Sequence, residues 1–358
     1  MKKYSVGIIG ATGTVGQKFI ILLENHPWFE IKCLAASEKS CGKTFEEAVK
    51  NKPCLEGAIN KITKDMVVLD AIKDAEKIAN LVDFVFCAVN MEKEKTKELE
   101  EKYAKLECPV ISNNSACRNI PDVPMIIPEL NANHIDVIPF QRKRLNTKKG
   151  FIAVKSNCSI QCFVPALFPL NDLGIKSVLA CTYQAISGAG KDFKSWPEMI
   201  DNIIPYIPGE EEKTEKEPLK IWGNLINGEI VPSKSPIITS QCLRVPVTDG
   251  HTAAVFTSFE KKVTKEEILS RWNTFKPNEK SINLPSSPKK FIKYFEENDR
   301  PQIFSERNLE NGMGISVGRL REDSQYDIKF ICMSHNTVRG AAGGAILLAE
   351  MLCRENYI

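Results

Sequence analysis

The chain has 358 residues, carries 48 Lys and Arg against 45 Asp and Glu for a net charge of +3, and is 43% hydrophobic with 20 Gly and 20 Pro. That length exceeds one ordinary core and predicts two domains, while the composition excludes collagen-like, coiled-coil and wholly disordered chains. So small a net charge, with both signs interspersed, gives no ground for a nucleic-acid or membrane partner.

From Tyr4 the chain enters a strand directly, without the apolar run and cleavage site of a signal peptide. No stretch of about 18 apolar residues suggests a membrane span. The twelve cysteines fall singly in apolar runs with no Cys-x-x-Cys pair. The expected setting is therefore reducing and cytoplasmic, and no metal site is expected.

Short β-branched runs alternate with helical periodicity at first: a strand over 4–9, a helix over 14–24, strands over 30–36, 67–69 and 84–89, a helix over 92–106 and a strand over 109–112. This pattern predicts βαβ units on a parallel sheet, hence an α/β Rossmann-like domain over 1–150. Longer strands over 177–186, 245–247, 253–259 and 327–333 predict an α+β domain with a mixed sheet over 151–335. Two segments, the charge run Gly209–Pro218 and the polar stretch 277–290, read as surface connections. Residues 336–358 begin with small residues and continue as an apolar helical stripe, expected to pack back on the first domain.

Gly10-Ala11-Thr12-Gly13-Thr14-Val15-Gly16 follows the first strand and opens the first helix. Glycines there let the backbone turn sharply and approach a pyrophosphate, and free N–H groups at the helix start receive its charge. A packing turn without a ligand is the alternative. At the end of the second strand, where an NAD enzyme carries an acidic residue for the ribose 2′-hydroxyl, Ser37, Lys39 and Ser40 supply donors suited to a 2′-phosphate, with Glu38 expected to face solvent.

Cys158, in Ser156-Asn157-Cys158-Ser159, falls between a strand and a helix over 160–170, and a helix N-terminus favours thiolate. With twelve cysteines, a buried structural thiol is the plain alternative. Among four histidines, His26 and His134 read as structural or solvated. His251 instead ends Arg244-Val245-Pro246-Val247-Thr248-Asp249-Gly250-His251, a glycine turn between strands that presents the imidazole at a sheet end.

Taken together, Gly10–Gly16, Ser156–Ser159, Gln184–Gly190, Arg244–His251 and Asn336–Gly344 occur in the order found in aspartate-semialdehyde dehydrogenases, and the chain resembles the archaeal and fungal branch of that family along nearly its whole length. The resemblance implies NADPH-dependent reductive dephosphorylation of L-aspartyl 4-phosphate to L-aspartate 4-semialdehyde through a cysteine thioester, and a homodimer or homotetramer. It implies Cys158 as nucleophile, His251 as general acid/base and Gln184 as the residue orienting the acyl group. It also implies Arg244 on the substrate α-carboxylate, Arg118 and Lys220 on phosphate, and Glu217 on the substrate ammonium. NADP contacts are implied at Gly10, Thr12, Gly13, Thr14, Val15 and Gly16, at Ser37, Lys39 and Ser40, and at Ser187, Gly188, Gly190 and Asn336.

Were Pro218 the first residue of a helix, Lys220 would sit in its first turn, where a cation is disfavoured unless an anion binds beside it. Two departures from the family stand out: Lys39 where Arg is frequent, and Ala88-Val89 after Phe86-Cys87 where a serine is common. The competing readings are a malonyl-coenzyme A reductase using the same cysteine, against which Glu217 counts because malonyl has no ammonium, and a non-catalytic nucleotide-binding redox sensor.

Overall fold

A computed structural model describes residues 3–50, 52 and 59–358. Seven strands form the first sheet: β1 Tyr4–Ile9, β2 Phe29–Ala36, β3 Leu69–Asp70, β4 Phe84–Cys87, β5 Val110–Ser112, β6 Met125–Ile126 and β7 Ile152–Lys155. Their order is β3-β2-β1-β4-β5-β7-β6, and every pairing is parallel. The direction of winding reverses between β1 and β4, which opens a crevice at the carboxyl ends of these two strands. This is the expected Rossmann-like architecture.

The first sheet runs past the boundary expected at residue 150. Strand β7 pairs with both β5 and β6, so the chain leaves this sheet only at Lys155, immediately before Cys158. The strand is a short, wholly buried four-residue run that sequence patterning joins to the helix after it, at Ile160–Leu167, rather than to the sheet before it.

The second domain carries β8 Ile175–Gln184, a hairpin of β9 Asn224–Ile226 and β10 Glu229–Val231, then β11 Ile237–Arg244, β12 His251–Phe259, β13 Ile292–Phe295, β14 Ile315–Glu322 and β15 Ile328–Ser334. Its large sheet has the order β11-β8-β12-β15-β14-β13, with parallel pairs at the two edges and antiparallel pairs between. A mixed sheet was expected. The expected strand over 245–247 is instead part of a tight turn, in which Val247 N donates to Val245 O, and the true strand precedes it.

The charge run is not a surface connection. Residues Glu210–Ile221 form a helix in which Glu210, Thr214, Glu217, Pro218 and Ile221 are buried at helical spacing, with Lys220 buried beside them. Hydropathy does not reveal it because the inward stripe is itself polar. Pro218 sits well inside this helix, and Lys220 lies in its last turn, where the dipole favours a cation. Lys220 is thus no first-turn cation calling for an anion beside it.

Helix Ile160–Leu167 is buried at every residue and joins the two domains through one continuous apolar core that includes Ile9, Val154, Phe163, Val255 and Phe330. A second core surrounds helix Gly343–Arg354, which lies against β5, β7 and helix Thr14–Leu23. Among the described residues no helix is long and apolar enough to cross a membrane. His26 and His134 are both buried and structural: His26 bonds Glu350 at 2.8 Å, and His134 Nε2 meets Gly223 O at 3.0 Å.

Arg339 crosses between these layers. Its guanidinium pairs both carboxylate oxygens of Glu129, at 2.5 and 2.7 Å, and its Nε donates to Gln161 Oε1 at 3.1 Å. Both members of the ion pair are buried. Removing one partner of such a pair strands a charge in the interior, so Glu129→Ala should lower the unfolding free energy by about 3 to 5 kcal/mol. Urea denaturation measures this, and a loss of less than about 1 kcal/mol would contradict the importance given to the pair.

Candidate active site

The glycine turn builds one wall of a cavity of about 930 Å3 at the ends of β1 and β4. Gly10 has φ +88°, and a Cβ there would lie 2.3 Å from Ala88 O; at Gly16 it would lie 2.2 Å from Gly10 O. The first glycine lets β1 approach β4, and the last lets the helix approach the strand. Gly10, Thr12, Gly13, Thr14 and Val15 line the cavity, whereas Gly16 supports it from behind. Lys52, absent from the expected set, donates to Thr12 Oγ1 at 2.6 Å.

At the far end the expected trio divides. Ser37 lines the cavity, but Lys39 is exposed and outside it, and Ser40 is buried. A 3₁₀ turn over Glu38–Ser40 is the cause: with three residues per turn, successive side chains point in three directions. Glu38 faces the cavity rather than solvent alone, and its carboxylate is paired with Lys73, which also lines the wall. Lys73, unlike the expected Lys39, lines this end of the cavity.

The opposite end is closed by the second domain. Gly188 and Gly190 line it, and Thr14 Oγ1 reaches Gly190 O at 3.4 Å across the domain junction. Ser187 and Asn336 do not line the cavity; Asn336 Nδ2 donates to Ser187 Oγ at 2.9 Å and its Oδ1 accepts from Gly250 N at 2.7 Å, so the two residues brace the adjoining turns. Asn113 also faces the cavity, with its side-chain nitrogen and oxygen both buried and unpartnered among the described residues. Sequence patterns gave no hint of this residue.

Beyond Gly188 lie the residues expected to do chemistry. Cys158, partly exposed, has its Sγ 3.4 Å from His251 Nε2, although the two are 93 residues apart in sequence. His251 begins β12, and its Nδ1 accepts the backbone N–H of Ala185 at 3.1 Å. Burial, reinforced by Arg244, pushes the imidazole down to about 3, so the ring is neutral across the working range. Arg244, at the end of β11, is buried and donates to Ala185 O at 2.8 Å. Gly188 fits between them: a Cβ there would be 2.8 Å from Arg244 Nη1 and 3.2 Å from His251 Nε2.

Gln184 ends β8 and donates to Glu210 Oε2 at 3.2 Å and to Thr182 Oγ1 at 3.3 Å. Glu210 also accepts from Asn157 Nδ2 at 3.0 Å and from Lys213 at 2.8 Å. Burial works to raise this carboxyl, but Lys213 and the Gln184 amide outweigh it and hold the group below its ordinary range. Glu210 thus fixes residues on both sides of the cysteine. It was hidden in the charge run, and only a helical reading of that run would have placed it inside.

The three residues implied for phosphate and ammonium are engaged with one another and with backbone. Arg118 Nη1 donates to Glu217 Oε1 at 2.8 Å, while Glu217 Oε2 accepts the Asn157 N–H at 2.6 Å. Lys220 donates all three protons to the carbonyls of Arg118, Ile120 and Val123, at 2.7, 2.7 and 2.8 Å. Burial pushes it down to about 8. Lys220 therefore clamps the loop that carries Arg118 and presents no free donor. Arg118 Nε, in contrast, is buried without a partner among the described residues.

A dinucleotide-sized cavity thus meets a cysteine–histidine pair at the junction of a parallel-sheet domain and a mixed-sheet domain. Family descriptions agree with this division: residues 5–138 match the NAD binding domain of semialdehyde dehydrogenases, and residues 167–339 match their dimerisation domain. Among curated proteins, the aspartate-semialdehyde dehydrogenase of Archaeoglobus fulgidus is 42% identical over 361 residues, covering 99% of this chain and 100% of that one. That of Aspergillus fumigatus is 38% identical over 369 residues, covering 99% of each. Among solved structures, the aspartate semialdehyde dehydrogenase of Candida albicans with NADP superposes with a TM-score of 0.88 at 35% identity, covering 100% of both chains. The Vibrio cholerae aspartate semialdehyde dehydrogenase II complexed with ASA gives 0.76 at 25% identity, covering 99% of both. The chain belongs to the aspartate-semialdehyde dehydrogenase family, and it is an oxidoreductase.

Gly188→Ala isolates the close packing of the site. A methyl group there would meet Arg244 Nη1 at 2.8 Å and crowd His251 at 3.2 Å, and misplacing such a constellation by up to about 1 Å costs up to the order of 10²-fold in kcat/KM. Steady-state kinetics beside a thermal melt tests this, with activity expected to fall and the melting temperature to stay close to that of the unaltered enzyme.

Proposed function

We propose that the enzyme reduces L-aspartyl 4-phosphate to L-aspartate 4-semialdehyde with NADPH, releasing phosphate, by way of a thioester on Cys158. The observation that carries this reading is the approach of Cys158 Sγ to His251 Nε2, 3.4 Å, beside the buried Arg244. The relatives of this chain share its full length, and one was solved with NADP.

In the first step the Cys158 thiolate attacks the acyl carbon, a carbon–sulfur bond forms and the carbon–oxygen bond to phosphate breaks. Arg244 presents a fork suited to the α-carboxylate. Arg118, with its unpartnered Nε, suits the departing phosphate, held in place by Glu217 and by the Lys220 clamp. Glu217 is thereby assigned a supporting place, and its pairing removes the argument against a thioester substrate such as malonyl-coenzyme A. Gln184, steadied by Glu210, orients the acyl group.

The residues present fit the nicotinamide cofactor on two grounds: the glycine turn at the start of helix Thr14–Leu23, and the orphaned amide of Asn113, whose donor and acceptor complement a carboxamide. Bound in the cavity, NADPH supplies the hydride that reduces the thioester. His251, with its single proton on Nε2, donates a hydrogen bond to the oxyanion of the resulting hemithioacetal and holds it until the carbon–sulfur bond breaks, the thiolate re-forms and the aldehyde leaves. We further assign the 2′-phosphate to Ser37 and Lys73, not to Lys39. The site works in the biosynthesis of amino acids derived from aspartate, in a reducing compartment, and in an oligomer formed through the second domain.

Cys158→Ala should abolish turnover of aspartyl phosphate while NADPH affinity, measured by fluorescence titration, stays within about threefold, since the nucleotide turn lies in the other domain. His251→Asn should lower kcat by roughly 10²- to 10⁴-fold. Wild-type turnover in the alanine variant would refute the thioester, and equal rates with malonyl-coenzyme A would shift the substrate assignment.

For the cofactor, kcat/KM should favour NADPH over NADH by about 10- to 1000-fold, one or two charge-assisted contacts at about 1.4 kcal/mol per decade. Lys73→Glu should erase much of that ratio and weaken NADPH binding, whereas Lys39→Glu should leave both close to the wild-type values. The reverse pattern would return the 2′-phosphate to Lys39.

A further inference from the structure

Helix Lys93–Lys105 turns one carboxyl group into the interior of the first domain, that of Glu100, which is 0% exposed. The groups bonded to it are neutral. Ser112 Oγ donates to Glu100 Oε1 at 2.5 Å, and Asn114 Nδ2 donates to the same oxygen at 2.9 Å. An acidic side chain buried in this way costs stability that an apolar residue of similar size would not, so its hydrogen bonds are the reason to look for a use.

Those bonds hold the segment that leaves β5 for the cofactor cavity. While Ser112 Oγ donates to Glu100, it accepts the backbone N–H of Asn114 at 3.0 Å, which closes a small ring of three residues around one oxygen. Ser112 and Asn114 are two apart in sequence and meet the same atom, so both side chains leave the backbone toward helix Lys93–Lys105. Asn113, between them, is left to face the other way. It lines the cavity, with its amide nitrogen and oxygen both unpartnered among the described residues.

The backbone of Asn113 is held as well. Its N–H donates to Cys87 O at 2.9 Å, at the end of β4, and its carbonyl accepts from Arg118 Nη2 at 2.9 Å. On the far side Asn114 Nδ2 lies 3.3 Å from Cys87 Sγ. Glu100 therefore completes a frame in which every polar group of the segment is occupied except the one amide that looks into the cavity. Glu100 itself does not line that cavity.

We propose that Glu100 is a positioning residue for the cofactor: through Ser112 and Asn114 it sets the direction in which Asn113 presents its amide, and with it the seat of the nicotinamide carboxamide. Without the shared acceptor the Asn114 amide loses its anchor and the alternation that aims Asn113 is no longer enforced. The inference rests on the reading of Asn113 as the partner of the carboxamide.

Two probes test it by calorimetric titration: NADPH, and 2′,5′-ADP, which carries the adenosine end without the nicotinamide. Glu100→Leu removes the acceptor and should weaken NADPH about tenfold, the scale of one hydrogen bond, while 2′,5′-ADP stays within about twofold. Glu100→Gln keeps an acceptor oxygen and should bind both probes as the unaltered enzyme does. Asn113→Ala should reproduce the Leu pattern, and the two changes combined should lose no more than Asn113→Ala alone, because both act on one contact. A folded Glu100→Leu with unaltered NADPH affinity, beside an Asn113→Ala that weakens NADPH, overturns the proposal and leaves the reading of Asn113 standing. A silent Asn113→Ala overturns both. Equal losses for the two probes, or additive losses in the double variant, also overturn the proposal, since they mark a general loss of structure. Should Glu100→Leu not fold, Ser112→Ala cuts the same link and decides: NADPH should weaken about threefold with 2′,5′-ADP unchanged, and an unchanged NADPH affinity overturns the proposal.

Discussion

The placement of the nucleophile traces back to one buried contact, the pairing of Arg339 with Glu129. Two charges removed from water are stable only when each satisfies the other, and here the guanidinium is used fully: two nitrogens on the carboxylate and Nε on Gln161. Gln161 passes the constraint on through its amide to Ser156 Oγ at 2.7 Å, two residues from the nucleophile. The pair binds three chain segments distant in sequence. Without it the helix that follows the cysteine would have an unsatisfied amide and no fixed distance from the first domain.

Around that frame the active site separates charge by burial. The histidine is kept neutral, the cysteine thiol is pushed up by burial, and the carboxylate of Glu210 is kept charged by its donors. Glycines permit the separation: Gly188 lets Arg244 and His251 approach the turn before them, and Gly340 lets the C-terminal segment lie directly over the cysteine. In each case the nearest atom belongs to a reactive side chain, so the space taken by one methyl group decides whether the group fits.

Much of the fold was legible in sequence because period-two and period-3.6 patterns were clear where apolar residues marked the buried face. Tyr4–Ile9, Thr14–Leu23 and Lys93–Lys105 lie where their patterns placed them. The pattern failed where burial is polar. Helix Glu210–Ile221 turns Glu210 and Glu217 inward, and no hydropathy scale separates an inward carboxylate from a solvated one. Likewise Lys39 points away from the cavity that Lys73 lines, because a 3₁₀ turn redirects neighbours by a third of a revolution and Lys73 arrives from another connection. Cys158 and His251 were legible from their flanking motifs, whereas Asn113 was not, since an Asn in a loop has many uses.

The chain crosses between the domains twice, once through Ser156–Ser159 and once through the segment leading from β15 to helix Gly343–Arg354, and both crossings run past Cys158. Two covalent crossings define a line, and bodies joined along a line turn about it. Displacement in such a rotation grows with distance from the axis. A rotation of one domain against the other would carry the Gly188–Gly190 wall, which the second domain supplies, past the glycine turn of the first while the sulfur near the axis moves least, so the nucleophile sits at the spine of the fold.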